Sequence, residues 1–208
     1  MVCEGATEVG ICRAINKWRQ DSGKVSAACK GVRFANSEGR NLDEYVRGFR
    51  NLSFNTALFC DSDDDTINKQ KKAFVAQDIK LIDSESNYAI ENQIFKNVSW
   101  ATIKELIPVA IQKVMEDDGK SQKEAEKAVF SSTNDRLTNK ITSIDHWYDI
   151  ENDELREALG ETAKKKEWYK RQSYGEKLGQ IVLNHYDELA EGCKLKNEID
   201  AISNWIDA

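Results

Sequence analysis

With 208 residues, 40 % of them hydrophobic and 9 % aromatic, the chain is long enough for one large domain, or a domain with a sizeable insertion, and can bury a core. No run approaches the roughly 18 apolar residues of a membrane span and no signal-peptide pattern opens the chain, which excludes a membrane partner and predicts a cytoplasmic protein. The net charge of −6 opposes nucleic-acid binding in bulk, yet residues 164–177 hold six basic side chains (Lys164, Lys165, Lys166, Lys170, Arg171, Lys177) against Glu167 and Glu176.

In chain order, Val2-Cys3 begin a strand that ends near Glu4, and Val9, Ile11, Cys12, Ile15 and Trp18 follow at helical spacing up to a stop at Gly23. Gly31 to Phe34 read as a second strand and Asn41 to Asn51 as a second helix, with Asn41 and Glu44 at capping-box spacing. Ala57-Leu58-Phe59-Cys60 is an apolar run of the kind found in strands buried on both faces, and it stops at Asp61. A third helix over Lys69 to Gln77, which takes in a second basic cluster at Lys69, Lys71 and Lys72, leads to a fourth strand at Lys80-Leu81-Ile82. This alternation predicts an α/β fold with a parallel sheet flanked by helices over residues 1–99. Residues 100–162 have helical periodicity without a strand and read as a helical insertion or appended layer, and 163–208 as a helical segment, with Leu178, Ile181, Val182, Tyr186 and Leu189 on one face, that completes the first domain. The first strand is short: a naturally short edge strand and a piece excised from a longer protein both fit it.

Parallel α/β sheets place function at the carboxyl ends of their strands. Glu4 lies at such an end, Glu8 one helical turn beyond, Asp61 and Asp63 at another, and Glu91 early in the helix after the fourth strand. Asp64 and Asp65 fit ordinary turn or helix-capping roles. Carboxylates crowded at one rim repel one another unless a cation neutralises them, and hard oxygen ligands select Mg²⁺ or Mn²⁺. Two such ions would suit phosphodiester hydrolysis.

The run VCEGATEVG (Val2 to Gly10) resembles the first motif of TOPRIM domains, a glutamate ending the first strand and followed by glycine, and LFCDSDD (Leu58 to Asp64) resembles the second, a DxD at a later strand end. Together with IENQIF (Ile90 to Phe95) and WYKRQSYGEKLG (Trp168 to Gly179), these resemble most closely the TOPRIM nuclease region of overcoming-lysogenization-defect (OLD) family endonucleases. The resemblance implies a TOPRIM-like sheet, with Glu4, Glu8, Asp61 and Asp63 as metal ligands, Glu91 supporting a second ion, and Glu4 as proton acceptor for the attacking water. Lys170 would stabilise charge on the scissile phosphate, with Lys166 and Arg171 as neighbouring nucleic-acid contacts. Thr66 stands where topoisomerase and primase TOPRIM motifs carry glycine, which disfavours those subfamilies. OLD-type proteins also carry an upstream ATPase module, whose phosphate-cradling loop is not in this sequence, so an ATPase domain of the same protein is an expected partner.

The expected activity is a DNA endonuclease or nickase using two metal ions. An RNA-processing TOPRIM nuclease, a catalytically silent nucleic-acid or partner-binding module that holds Mg²⁺, and a receiver-like regulatory domain are the alternatives. The five cysteines lack any CxxC pair and read as reduced, buried thiols. His146 and His185 read as surface or packing residues, and all five tryptophans as core anchors, with base stacking by Trp168 and Tyr169 a secondary possibility.

Overall fold

The computed structural model describes residues 1–39 and 41–208. Four parallel strands, β1 (Val2–Cys3), β2 (Ala35–Asn36), β3 (Ala57–Cys60) and β4 (Lys80–Asp83), form one sheet in the order β2-β1-β3-β4. The crossovers carry α1 (Ala6–Asp21), α2 (Leu42–Asn51) and α3 (Asp65–Ala76), so the expected α/β class with a helix-flanked parallel sheet holds. Alternation along the strands sorts the two faces. Val2, Leu58 and Cys60 meet Leu42 and Val46 of α2 and Ile67 and Phe74 of α3, while Cys3, Ala57 and Phe59 join the larger core on the other side.

Four local expectations are corrected. β1 lies inside the sheet, paired with β2 on one side and β3 on the other, and is no edge strand. The second strand falls at Ala35–Asn36 instead of Gly31 to Phe34, because Gly31, at φ +73°, closes a turn through its N–H to Ala28 O, and pairing starts where Ala35 N–H donates to Met1 O. The third helix begins at Asp65, earlier than Lys69, since Asp64 accepts from the N–H groups of Thr66 (2.6 Å) and Ile67 (3.3 Å) as an N-cap. The Asn41 side chain makes no capping bond among the described residues. Gly23 ends the first unit as expected, with φ +81° just past the helix.

Beyond the sheet come α4 (Ile90–Asn97), α5 (Trp100–Asp118), α6 (Gln122–Asn134), a 3-10 segment (Ile144–Asp149) and α7 (Asp153–Lys165). The C-terminal segment is helical as expected, as α8 (Gln172–Asn184) and α9 (Lys194–Asp207) separated by a 3-10 turn at Tyr186–Glu188. One hydrophobic core draws on all three stretches of the chain: Ile15 and Phe95 from the first, Ile103, Trp147 and Leu159 from the second, Leu178 and Ile199 from the third. Helices α1 and α8 touch backbone to backbone, for a Cβ on Gly10 would stand 2.4 Å from Glu176 N and one on Gly175 2.5 Å from Thr7 O. Thr7 Oγ1 also donates to Tyr169 O at 3.1 Å, which fastens the start of α1 to the loop ahead of α8. A second close approach sets α7 on α4, where a Cβ on Gly160 would stand 3.0 Å from Asn92 Cα. No helix among the described residues is long and apolar enough to cross a membrane.

Candidate metal and nucleic-acid site

Because β1, β3 and β4 run parallel, the residues that follow them arrive at one edge of the sheet. Glu4 follows β1 directly, and Gly5 starts α1 with an N–H that donates to Glu8 Oε2 at 2.8 Å. Gly5 has extended backbone, and its requirement is space: a Cβ there would stand 2.9 Å from Glu8 Oε2. Asp61 follows β3, and its N–H donates to Glu4 Oε2 at 2.9 Å, joining the two strand ends across 57 residues of sequence. Asp61 Oδ1 in turn accepts from Ile90 N–H at 2.8 Å, at the start of the helix that carries Glu91. Glu4, Glu8, Asp61, Asp63 and Glu91 all line one cavity of about 480 Å³, together with Lys164 and Lys170.

Electrostatics report the same convergence. Burial pushes the Glu8 carboxyl up to about 8, reinforced by the charges of Glu91 and Glu4. Asp61 is raised well above the ordinary carboxylate range by burial and then by Glu8, Glu91, Glu4 and Asp63. Burial also raises Glu4, with Asp63 and Asp64 adding to it, while the Asp61 N–H bond and Lys170 oppose it. Glu91 is raised by burial and by Asp63, against the pull of its own helix backbone and of Lys170 and Lys164. The carboxylate oxygens are meanwhile held by backbone N–H groups and by a lysine, and among the described residues no three His, Cys, Asp or Glu side chains already form a cage for an ion.

The basic residues divide. Lys170, exposed at the end of the WYK run, lines the acid cavity. Lys166 ends α7 facing solvent, outside the residues that line it, and Arg171 is drawn toward α5, paired with Asp117 and 3.8 Å from Glu116. Lys164, one of several basic residues that the sequence does not distinguish, lies in the last turn of α7 and forms an ion pair with Asp63. Base stacking by Trp168 and Tyr169 is overturned, since the rings are 1 % and 0 % exposed and the Tyr169 hydroxyl donates to Leu106 O at 3.0 Å. Lys71, taken as part of a basic cluster, is buried and bonds Ser62 Oγ (2.7 Å) and Asp83 Oδ2 (3.0 Å), bracing the Asp61–Asp63 loop from beneath. Asp83 and Glu85 face lysines (Lys71, Lys194 and Lys96) and lie outside the residues lining the acid cavity. Of the five free thiols Cys3, Cys12 and Cys60 are buried as expected, Cys193 only partly, and Cys29 is exposed. His146 is exposed, and His185 lies between Glu105 (2.9 Å) and Glu188 (2.8 Å) on the surface of the helical layer.

Compared with protein-family models, with curated proteins and with solved structures, the chain matches none.

Proposed function

We propose that the chain is a divalent-metal-dependent nuclease of TOPRIM type that hydrolyses DNA phosphodiester bonds at the acid cavity. One observation carries this reading: five carboxylates from separate strand ends and helices share a cavity with two lysines, and four of them are raised above their ordinary range, in part by one another's charge. Acids so arranged are stabilised in their ionised form by a multivalent cation, and an all-oxygen donor set suits Mg²⁺ or Mn²⁺ over softer metals. Glu4, Glu8, Asp61 and Asp63 would hold the first ion, and Glu91 would support a second. Bound there, such ions lower the pKa of water and stabilise charge on phosphate oxygens.

The protein's own groups supply the remainder. The carboxylate of Glu4, fixed at one oxygen by Asp61 N–H, is half-buried and raised above its ordinary range by burial, which makes it a better proton acceptor than a solvated carboxylate. Lys170, at the mouth of the cavity, offers a compact positive charge to a phosphate. Lys166 would contact the backbone of the nucleic acid further out, with Arg171 in reserve behind its pair with Asp117. The motif resemblance to overcoming-lysogenization-defect endonucleases extends the proposal to an ATPase module as a working partner.

The test is nicking of supercoiled plasmid with Mg²⁺ or Mn²⁺. Glu4→Gln and Asp61→Asn are expected to lower the rate by a factor on the order of 100 or more while leaving the thermal unfolding cooperative. Undiminished cleavage by either variant would remove that residue from the site, and cleavage of RNA alone would redirect the substrate.

A further inference from the structure

Lys164 stands on a helix fixed to its neighbour and carries a partly exposed side chain. Its helix is fixed to α4 by the Gly160–Asn92 approach and by a hydrogen bond from Asn92 Nδ2 to Glu161 Oε1 at 2.9 Å. Its side chain is 37 % exposed, runs along the cavity wall and ends in an ion pair with Asp63 Oδ2, whose own side chain is 18 % exposed. Asp63 belongs to the acid cluster, for its charge is felt by Glu4, Asp61 and Glu91. Lys170 lines the same cavity and its charge is felt by Glu4 and Glu91, but the ion pair it makes is with Glu167, at 3.9 Å, and its side chain is 62 % exposed.

An ammonium and a hard divalent cation have the same target, the oxygens of an ionised carboxylate, and one carboxylate oxygen cannot serve both at full contact. We propose that Lys164 is a built-in competitor for the divalent cation: it neutralises Asp63 when no ion is bound and must leave that carboxylate for the ion to ligate it. This rests on the metal-site reading above and deepens it. The device keeps crowded acids soluble and ordered without metal, and it sets the metal affinity below what the carboxylates alone would give. Displacement also leaves Lys164, still anchored on α7, as a second free ammonium beside Lys170 for an anionic substrate. Lys164 therefore acts through Asp63 as a positioning residue, and its signature is in metal affinity.

The experiment is direct titration with Mn²⁺, free ion being followed by electron paramagnetic resonance, on the intact chain and on Lys164→Met, Lys164→Gln, Lys165→Met and Asp63→Asn. Lys165 is exposed on the same helix, so its variant carries the same charge change without the contact. Both Lys164 variants are expected to bind Mn²⁺ about three- to fivefold more tightly than the parent, the upper part of the range an exposed ion pair supports. Lys165→Met should stay within about twofold, and Asp63→Asn should bind more weakly. Parent binding with no gain in either Lys164 variant, or an equal gain in Lys165→Met, would overturn the competitor and leave the metal site standing. Absence of Mn²⁺ binding by the parent and by both Lys164 variants would overturn the metal site and the competitor together.

Discussion

Glu198 on α9 is 3 % exposed, and neither of its carboxylate oxygens has a hydrogen-bond partner among the described residues. Burial pushes its carboxyl up to about 8; Lys194 opposes the rise, and Asp83 and Glu85 add to it. A carboxyl whose folded pKa lies above the unfolded value of 4.5 binds its proton more tightly when folded, so rising pH favours the unfolded chain. The penalty is absent below about pH 4.5, grows between there and about 8, and is complete above. Glu198→Gln should therefore leave stability unchanged near pH 4.5 and raise it by on the order of 3 kcal/mol at pH 7.5, read from urea unfolding at both values. An equal effect at both would show that the proton is not responsible. Single residues of this kind were poorly legible in the sequence. Nothing in KNEID separates a buried acid from a solvated one, and the same holds for Lys71, whose buried ammonium bonds Asp83, a residue of the next strand. Asp64 was legible, because an aspartate two and three residues ahead of free helix N–H groups caps them through local geometry alone.

At the scale of elements, two glycine contacts hold the basic segment against the acid rim. A methyl group on Gly175 would enter the backbone of Thr7, which is one residue from Glu8, and neither helix can yield without moving the other. Gly175→Ala is expected to destabilise the fold by about 2–3 kcal/mol, as overpacking of a tight helix contact does, and to impair the site through the displaced α8. Gly48, exposed in α2 with nothing within 4 Å of an added Cβ, provides the contrast. Gly48→Ala should stabilise by about 0.5–1 kcal/mol through helix propensity. Thermal or chemical denaturation decides both, and a neutral Gly175→Ala would mean that the two helices are less closely joined than described. Strand β3 and the helix after β1 were readable because their patterns are local: four consecutive apolar residues, and apolar spacing of three and four. Strand β2 was not, since two residues carry no pattern and their place is set by the Met1 carbonyl, which accepts from Ala35 N–H, and by the Cys3 carbonyl, which accepts from Ser37 N–H just beyond the strand.

Across the whole molecule, the site exists only as a product of topology. Three parallel strand ends bring Glu4, Asp61 and the approach to Glu91 to one rim, and the helical layer then returns Lys164 and Lys170 to it through α7 and the loop before α8. The acids could be named from the sequence because each follows an apolar run or opens a helix. Lys164 could not be singled out among six neighbouring basic residues, for its partner Asp63 is a hundred residues away and only the packing of α7 on α4 selects it. The proposed chemistry requires these carboxylates to share a divalent cation, and a crystal soaked in Mn²⁺ and measured for anomalous scattering addresses that most directly. The expected result is anomalous density bounded by Glu4, Glu8, Asp61 and Asp63, with Lys164 turned away from Asp63. A well-occupied Mn²⁺ elsewhere, with the Lys164–Asp63 pair intact and the acid rim without density at saturating metal, would contradict it.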